Sequence, residues 1–147
     1  MEAVACGIAF QERRLFLSGM RLDQLDHLVL TVRDVSATVA FYTEVLGMVE
    51  VTLGENRKAL AFGTQKINLH EAGREFEPKA LHPKPGSADL CFLTSVPLQA
   101  VVAHLERCGV QVIEGPIERA GAQGPIESIY LRDPDGNLIE VANQLPL

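Results

Sequence analysis

The feature of the sequence that most constrains the fold is an order of predicted elements that occurs twice: one strand, one helix and three strands. Runs of aliphatic and β-branched residues predict the strands, and apolar residues three or four positions apart predict the helices. The first copy has predicted strands at residues 25–32, 49–53, 58–62 and 66–71. The second has them at residues 88–94, 111–114, 126–131 and 137–142. The sequence therefore predicts an α+β fold in which two βαβββ modules form one cupped mixed sheet.

Length and local composition set the domain boundaries. A chain of 147 residues has the size of one domain. We expect that domain to span residues 22–147, with modules at about 22–72 and 86–143 and a linker rich in proline and charge between them. Residues 1–21 have no clear periodicity, so they are predicted to be a flexible N-terminal extension.

Charge and cysteine content exclude several kinds of partner. The net charge of -6 argues against nucleic acid and anionic membranes, which need clustered Lys and Arg. No apolar run approaches the roughly 18 residues of a membrane-spanning helix. The three cysteines are widely spaced and odd in number, which favours reduced thiols and a cytoplasmic protein.

Four ionisable side chains lie inside otherwise apolar strands: His27, His70, Asp89 and Glu140. The repeat aligns His27 with Asp89 in the first strands of the modules, and His70 with Glu140 in the last strands. If a pseudo-twofold axis relates the modules, these four groups converge in one cavity. Two carboxylates in an apolar cavity cost several kcal/mol each unless a cation compensates them, so the pattern predicts a divalent metal ion.

A second group of polar residues is a candidate substrate-binding site: Arg119, Gln123, Ser128 and Tyr130. Arg119 can bind a carboxylate or phosphonate through two hydrogen bonds, and nearby glycines permit close approach of a ligand. The alternative is a flexible hairpin with solvated polar groups.

Three motifs carry a resemblance to a known superfamily. They are Asp26-His27-Leu28-Val29-Leu30-Thr31-Val32, then Phe41-Tyr42-Thr43-Glu44-Val45-Leu46-Gly47-Met48, then Asp133-Pro134-Asp135-Gly136-Asn137-Leu138-Ile139-Glu140. Together they resemble the vicinal oxygen chelate superfamily, which includes glyoxalase I, extradiol dioxygenases, fosfomycin-resistance proteins and bleomycin-binding proteins. Residues 66–71, 76–80 and 86–91 resemble more narrowly the proteins with a glyoxalase domain, among them lactoylglutathione lyase-like proteins associated with bacterial virulence.

The resemblance implies a ligand set, a reaction and an assembly. His27, Asp89 and Glu140 match family ligand positions, and His70 takes the fourth place. Many members have His where this chain has Asp89, and the fourth assignment could instead fall on Asn68, which lies on the same strand face. The ion would be Zn, Ni, Co, Mn or Fe, and Glu140 would be both ligand and catalytic base in a lyase or isomerase acting on a small substrate with vicinal oxygens. A homodimer is expected.

Three other functions are compatible with the same residues. An extradiol-type dioxygenase would use His27, His70 and Glu140 as a ferrous triad, without Asp89. A fosfomycin-type hydrolase or transferase would use the Arg119 group. A non-catalytic protein would sequester a small molecule in the cavity, as bleomycin-binding relatives do.

Overall fold

The computed structural model describes residues 19–147. Residues 1–18 lie outside the described part, so the predicted flexibility of that stretch is not addressed. The first module contains β1 (His27–Val32), α1 (Val35–Glu44), β2 (Val49–Leu53), β3 (Arg57–Phe62) and β4 (Gln65–Glu71). The second contains β5 (Asp89–Leu93), α2 (Leu98–Arg107), β6 (Glu114–Gly121), β7 (Gly124–Arg132) and β8 (Leu138–Gln144). The predicted α+β class and the two βαβββ modules are confirmed.

Each module forms its own four-stranded mixed sheet. The strand orders are β1-β4-β3-β2 and β5-β8-β7-β6, so the two topologies are identical. In both sheets the first and last strands of the module pair in parallel at one edge, and the other neighbours are antiparallel. Hydrogen bonding thus divides the expected single cup into two sheets, because among residues 19–147 no strand of one module pairs with a strand of the other.

The apolar core lies on the helix side of both sheets and is shared by the modules. Alternate residues of β1 and β4, such as Leu30 and Ile67, pack with Ile129 and Ile139 of β7 and β8 in one cluster. The remaining residues of these strands project to the opposite side, because side chains alternate along a strand. The candidate site residues of β1, β4, β5 and β8 occupy that opposite side.

One predicted strand was wrong in position. Residues 111–114 are predicted to form the sixth strand, and Arg119 and Gln123 to lie either in a substrate-binding segment or in a flexible hairpin. In the structure β6 spans Glu114–Gly121 and pairs with β7 up to Gly121 and Gly124, so only Ala122 and Gln123 remain in the turn. The glycines of this stretch belong to a tight hairpin, where Gly124 has a φ of 119° that favours glycine.

A buried polar cluster connects the modules. The Tyr42 hydroxyl on α1 donates to Asp133 Oδ2 at 2.8 Å, across 91 positions of sequence. Asn137 Nδ2 donates to the same carboxylate at 2.7 Å, and its Oδ1 accepts from Ala88 N at 2.9 Å. Tyr42 and Asn137 are fully buried, which makes these bonds costly to lose. The loop between β7 and β8 therefore holds the first helix, and we call Tyr42, Asp133 and Asn137 the polar hub. Within residues 19–147, neither helix has the length and apolar character needed to cross a membrane.

Candidate functional site

The strand register shows which candidate residues share a face in the first module. β1 and β4 align His27 with Lys66, Val29 with Asn68, and Thr31 with His70. All of these side chains project to the face opposite α1, because aligned residues on neighbouring strands point the same way. His70 lies four positions beyond the level of His27, and Asn68 lies two positions beyond it. At about 3.3 Å per residue, Asn68 is much nearer to His27 along the strands than His70 is.

His27 and Asn68 have properties suited to ligands. The side chain of His27 is 44% exposed, and its Nδ1 lies 2.7 Å from Asp26 Oδ2. A carboxylate at one ring nitrogen orients the imidazole and leaves Nε2 available for a ligand. Asn68 Oδ1 is buried and has no hydrogen-bond partner, one of two such side-chain atoms among the described residues. Burying an amide oxygen without a hydrogen-bond partner costs free energy, so binding of a cation or a hydrogen-bond donor at this atom would be stabilising.

The second module places Glu140 beside Cys91. β5 and β8 align Asp89 with Leu138 and Cys91 with Glu140, so Asp89 and Glu140 share a face two positions apart. Burial, followed by the neighbouring Glu140 carboxylate, raises the pKa of the Cys91 thiol to about 11. Cys91 is therefore a neutral neighbour of Glu140 at physiological pH, and Asp89 is exposed at the strand edge.

The register changes one equivalence between the modules. His27 corresponds to Asp89, and the register pairs them with Lys66 and Leu138 on the last strands of their modules. Two residues further along those last strands lie Asn68 in the first module and Glu140 in the second. The sequence repeat instead paired His70 with Glu140. The structural counterpart of Glu140 is Asn68, because the parallel pairing fixes the level of β4 against β1. We define His27 with Asn68 as the first half-site, and Asp89 with Glu140 as the second half-site.

The described part of one chain does not gather a complete metal site. Within residues 19–147, no three His, Cys, Asp or Glu side chains are grouped so that they could hold one ion. Each half-site nevertheless offers nitrogen or oxygen donors, and one of them, the buried amide oxygen of Asn68, lacks a partner. The residues present therefore suit a divalent ion if the two half-sites, one on each sheet, both contribute ligands to it.

The predicted substrate-binding residues come together in part. Arg119 Nε donates to the Tyr130 hydroxyl at 3.1 Å, and its terminal nitrogen pairs with Glu114 at 3.0 Å. Loss of solvent raises the pKa of Tyr130; the Glu140 carboxylate adds to this and Arg119 opposes it. Ser128 is fully buried, and its hydroxyl has no partner. Gln123 lies in the exposed turn between β6 and β7.

Arg119, Ser128 and Tyr130 share the face of the second half-site. β7 and β8 align Tyr130 with Glu140 and Ser128 with Ala142, and β6 aligns Arg119 with Ile126 of β7. Tyr130 thus lies between Arg119 and Glu140 on one surface. Alternation along β7 places Ser128 and Tyr130 on one face, and the pairing with β6 and β8 adds Arg119 and Glu140 to it.

Two functional contacts had weak sequence signals. The Nε2 of His104 lies 2.8 Å from Val45 O, so His104 connects α2 to the end of α1. The contact of Cys91 with Glu140 depends on the pairing of β5 with β8. Neither partner could be found from spacing, because each contact joins residues 49 or more positions apart.

Comparison with known proteins gives close relatives over most of the chain. The family model described as Glyoxalase/Bleomycin resistance protein/Dioxygenase superfamily matches residues 24–141. Virulence protein STM3117 of Salmonella typhimurium is 61% identical over 123 residues, covering 84% of this chain and 85% of the relative. Glyoxalase domain-containing protein RDO1 of Mycosarcoma maydis is 54% identical over 140 residues, covering 95% of this chain and 78% of the relative.

Solved structures agree with this. The crystal structure of the Salmonella protein has a TM-score of 0.84 at 60% identity and covers 86% of this chain and 100% of its own. An integron cassette protein from V. Cholerae has the same TM-score at 56% identity, covering 86% and 98%.

Proposed function

Because the chain belongs to the Glyoxalase/Bleomycin resistance protein/Dioxygenase superfamily, we propose that it is a metal-dependent lyase or isomerase of glyoxalase type acting on a small substrate with vicinal oxygens. The observation that carries this proposal is the equivalence of the two half-sites. In each module one donor lies on the first strand, and the other lies on the last strand, two residues beyond the position paired with the first donor. Both donors are on the sheet face opposite the helix. Four donors of this kind match the coordination of Zn, Ni, Co, Mn or Fe.

We propose that a second copy of the chain completes the site. The first half-site of one protomer would face the second half-site of its partner, and a twofold axis would create two such sites per dimer. Exposed apolar side chains support this arrangement: Val29, 44% exposed, shares the face of His27, and Leu93, 60% exposed, shares the face of Asp89. Burying such side chains next to the donors favours association.

The proposed ligands are His27, Asn68, Asp89 and Glu140, with His70 as the alternative to Asn68. A bound divalent ion would neutralise the negative charge that develops on a substrate oxygen when the adjacent carbon loses a proton. Asp26 would keep the ring of His27 oriented through the 2.7 Å contact at Nδ1.

Glu140 is the proposed catalytic base. Its carboxylate neighbours the Tyr130 hydroxyl and the Cys91 thiol, both of which remain protonated near neutral pH because their pKa values are raised. Neutral donors on two sides can orient the carboxylate without competing for the proton that it takes up. Arg119 would hold Tyr130 through the 3.1 Å hydrogen bond and present its remaining N–H groups to a substrate oxygen.

The names of two more distant relatives are consistent with chemistry of this kind. Glyoxylase I 4 of Arabidopsis thaliana is 27% identical over 133 residues, and metallothiol transferase FosB of Shouchella clausii is 25% identical over 118 residues. The contact between Arg119 and Tyr130 favours a second candidate function, a fosfomycin-type hydrolase or transferase, because a guanidinium and a phenol together suit a phosphonate. The same metal half-sites would serve both reactions.

Metal content and oligomeric state test the proposal together. Protein purified without chelator is analysed by elemental mass spectrometry and by light scattering, for the natural sequence and for Glu140→Ala. We expect near one divalent ion per chain in a dimer, lost or greatly reduced in the variant. The matched control is Glu118→Ala on β6, an exposed glutamate outside both half-sites, which should retain metal. Failure to bind Zn, Ni, Co, Mn or Fe after anaerobic incubation would contradict the metalloenzyme and favour a metal-free binding protein.

A further inference from the structure

Beside the first half-site lies a cavity whose lining residues, apart from the alternative ligand His70, have no role in the proposed reaction. It has a volume of about 320 Å³ and lies between the β1–β4 edge and the linker that joins the modules. Thr31 and His70 line it from the sheet, and Lys79, His82 and Lys84 line it from the linker. The linker thus covers the end of β4 that carries His70.

The side chains lining this cavity are basic in an otherwise acidic protein. Two lysines and two histidines line it and no acidic side chain does, although the whole chain has a net charge of -6. Lys79 is partly neutralised by Glu75 and Glu77 at 3.8 and 3.7 Å. Neither Lys84 nor His82 forms an ion pair within the described residues, so both are available to an external anion.

His70 is held in the wall of the cavity by a stack of aromatic and cationic groups. Its ring meets Phe76 edge to face, with centroids 5.5 Å apart and planes at 71°. The Arg57 guanidinium lies 3.9 Å from the centroid of the same phenyl ring. Contacts of these two kinds fix ring orientations and add a positive charge nearby. The cavity therefore has one side fixed by packing and another formed by the linker.

We propose that this cavity binds an oxyanion group, a carboxylate or a phosphate or phosphonate, through His70, His82 and Lys84. These three residues line one cavity, and imidazole and ammonium N–H groups are the usual donors for such groups. Thr31 adds a hydroxyl at the sheet wall. A volume of about 320 Å³ has room for an oxyanion that is part of a larger molecule.

The position of the cavity indicates which part of a substrate it would receive. His70 lies two positions beyond Asn68 on the same strand face, roughly 6 to 7 Å away along β4. Resting here on the proposed function, a substrate whose vicinal oxygens lie at the half-sites would place an anionic end in the cavity. The substrate class is then a small α-oxygenated carbonyl compound with a distal carboxylate or phosphate. Binding of the oxyanion itself does not require the metal.

Histidine NMR of chelator-treated protein tests the proposal without the reaction. The four histidines give few ring signals, each assignable with a His→Gln variant. Inorganic phosphate is added at constant pH and ionic strength, so that general screening does not change. We expect saturable shifts of the His70 and His82 signals and none of His104, which is bonded to Val45 O and does not line the cavity. Acetate should compete, and glycerol should not.

Two lysine variants decide whether the effect is local. Lys84→Gln removes an exposed ammonium that lines the cavity, and should weaken phosphate binding about tenfold. Lys58→Gln is the matched control, since Lys58 pairs with Glu50 at 2.7 Å and does not line the cavity; its affinity should be unchanged. Uniform or unsaturable shifts, or equal effects of the two variants, would overturn the proposal. Because metal is absent throughout, failure here is separate from failure of the metal-content experiment.

Discussion

The two modules share a backbone plan and differ in the chemistry placed on it. Both pair their first and last strands in parallel and carry a ten-residue helix on one side. At the same two levels the first module presents His27 and Asn68, whereas the second presents Asp89 and Glu140. One module therefore supplies an imidazole and an amide, and the other supplies two carboxylates. A repeat of packing does not require a repeat of function, since the helix-side residues determine packing and the opposite face is free to vary.

The connections between strands show a second difference. β3 and β4 are joined by the two residues Gly63 and Thr64, whereas β7 and β8 are separated by residues 133–137. The longer connection contributes Asp133 and Asn137 to the polar hub and contacts Tyr42 of the first module. The second module thus contributes both the acidic half-site and much of the contact between modules. Substitutions in it should have larger effects than equivalent substitutions in the first.

The largest effect is expected for Glu140→Gln. This change removes the proposed base and one ligand while keeping the shape of the side chain, so turnover should fall about 10²- to 10⁴-fold. The measurement is the rate with the hemithioacetal of methylglyoxal and glutathione, using metal-loaded protein. Its counterpart in the first module, Asn68→Ala, should lower metal affinity more than it lowers the maximal rate. If both variants lower the maximal rate and the metal affinity by similar factors, the half-sites do not have the distinct roles proposed.

The next effect is on stability and concerns the polar hub. Asp133→Ala should lower the free energy of unfolding by about 3 kcal/mol, because it leaves the Tyr42 hydroxyl and the Asn137 amide buried without their acceptor. Urea unfolding followed by circular dichroism measures this loss. Thr64→Ala, in the equivalent connection of the first module, is exposed and should change stability by less than about 0.5 kcal/mol. Equal losses would show that the hub does not join the modules.

The hub also shows why only part of this molecule could be predicted from sequence. Alternation of apolar residues depends on local geometry, so it identified both modules and placed their helices and most strands correctly. The run Asp133-Pro134-Asp135-Gly136 has the residue types of a turn, which is also a local signal. The hydrogen bond from Tyr42 to Asp133 joins residues 91 positions apart, and no periodic pattern in the sequence indicates it. Long-range contacts of this kind need the packed structure.

The candidate site was limited by the same distinction. Strand parity gave the face on which His27, Asp89 and Glu140 lie. The position of His70 relative to His27 depends on how β4 aligns with β1. A shift of that register by two residues keeps every side chain on the same face but changes which residue lies beside His27. Sequence reasoning therefore could not choose between His70 and Asn68. It also missed the basic cavity at the linker, because those residues converge only after the linker folds back over the sheet.

A smaller effect is expected where β8 supports the second helix. Pro97 precedes α2 and provides no side-chain cap, and Asn143 of β8 instead accepts a hydrogen bond from Leu98 N at 2.9 Å. Its amide also donates to Thr94 O and Val96 O at 2.9 and 2.8 Å. Asn143→Ala should cost about 2 kcal/mol, since three bonds are lost at a half-buried position. Thermal unfolding measures it, and Asn143→Asp, which retains only the acceptor, should give an intermediate loss.

The smallest effect is expected at the start of the first helix, where the cap is local. Asp34 Oδ1 accepts from Ala37 N at 2.9 Å, and the carboxylate is exposed. Asp34→Ala should cost about 1 kcal/mol, and Asp34→Ser should recover most of it, because serine is also a good N-cap. The backbone carbonyl of Asp34 still accepts from Thr38 in either variant, so the helix start itself is retained. A loss for Asp34→Ala as large as that for Asn143→Ala would mean that the tertiary cap of the second module stabilises its helix no more than a local cap does.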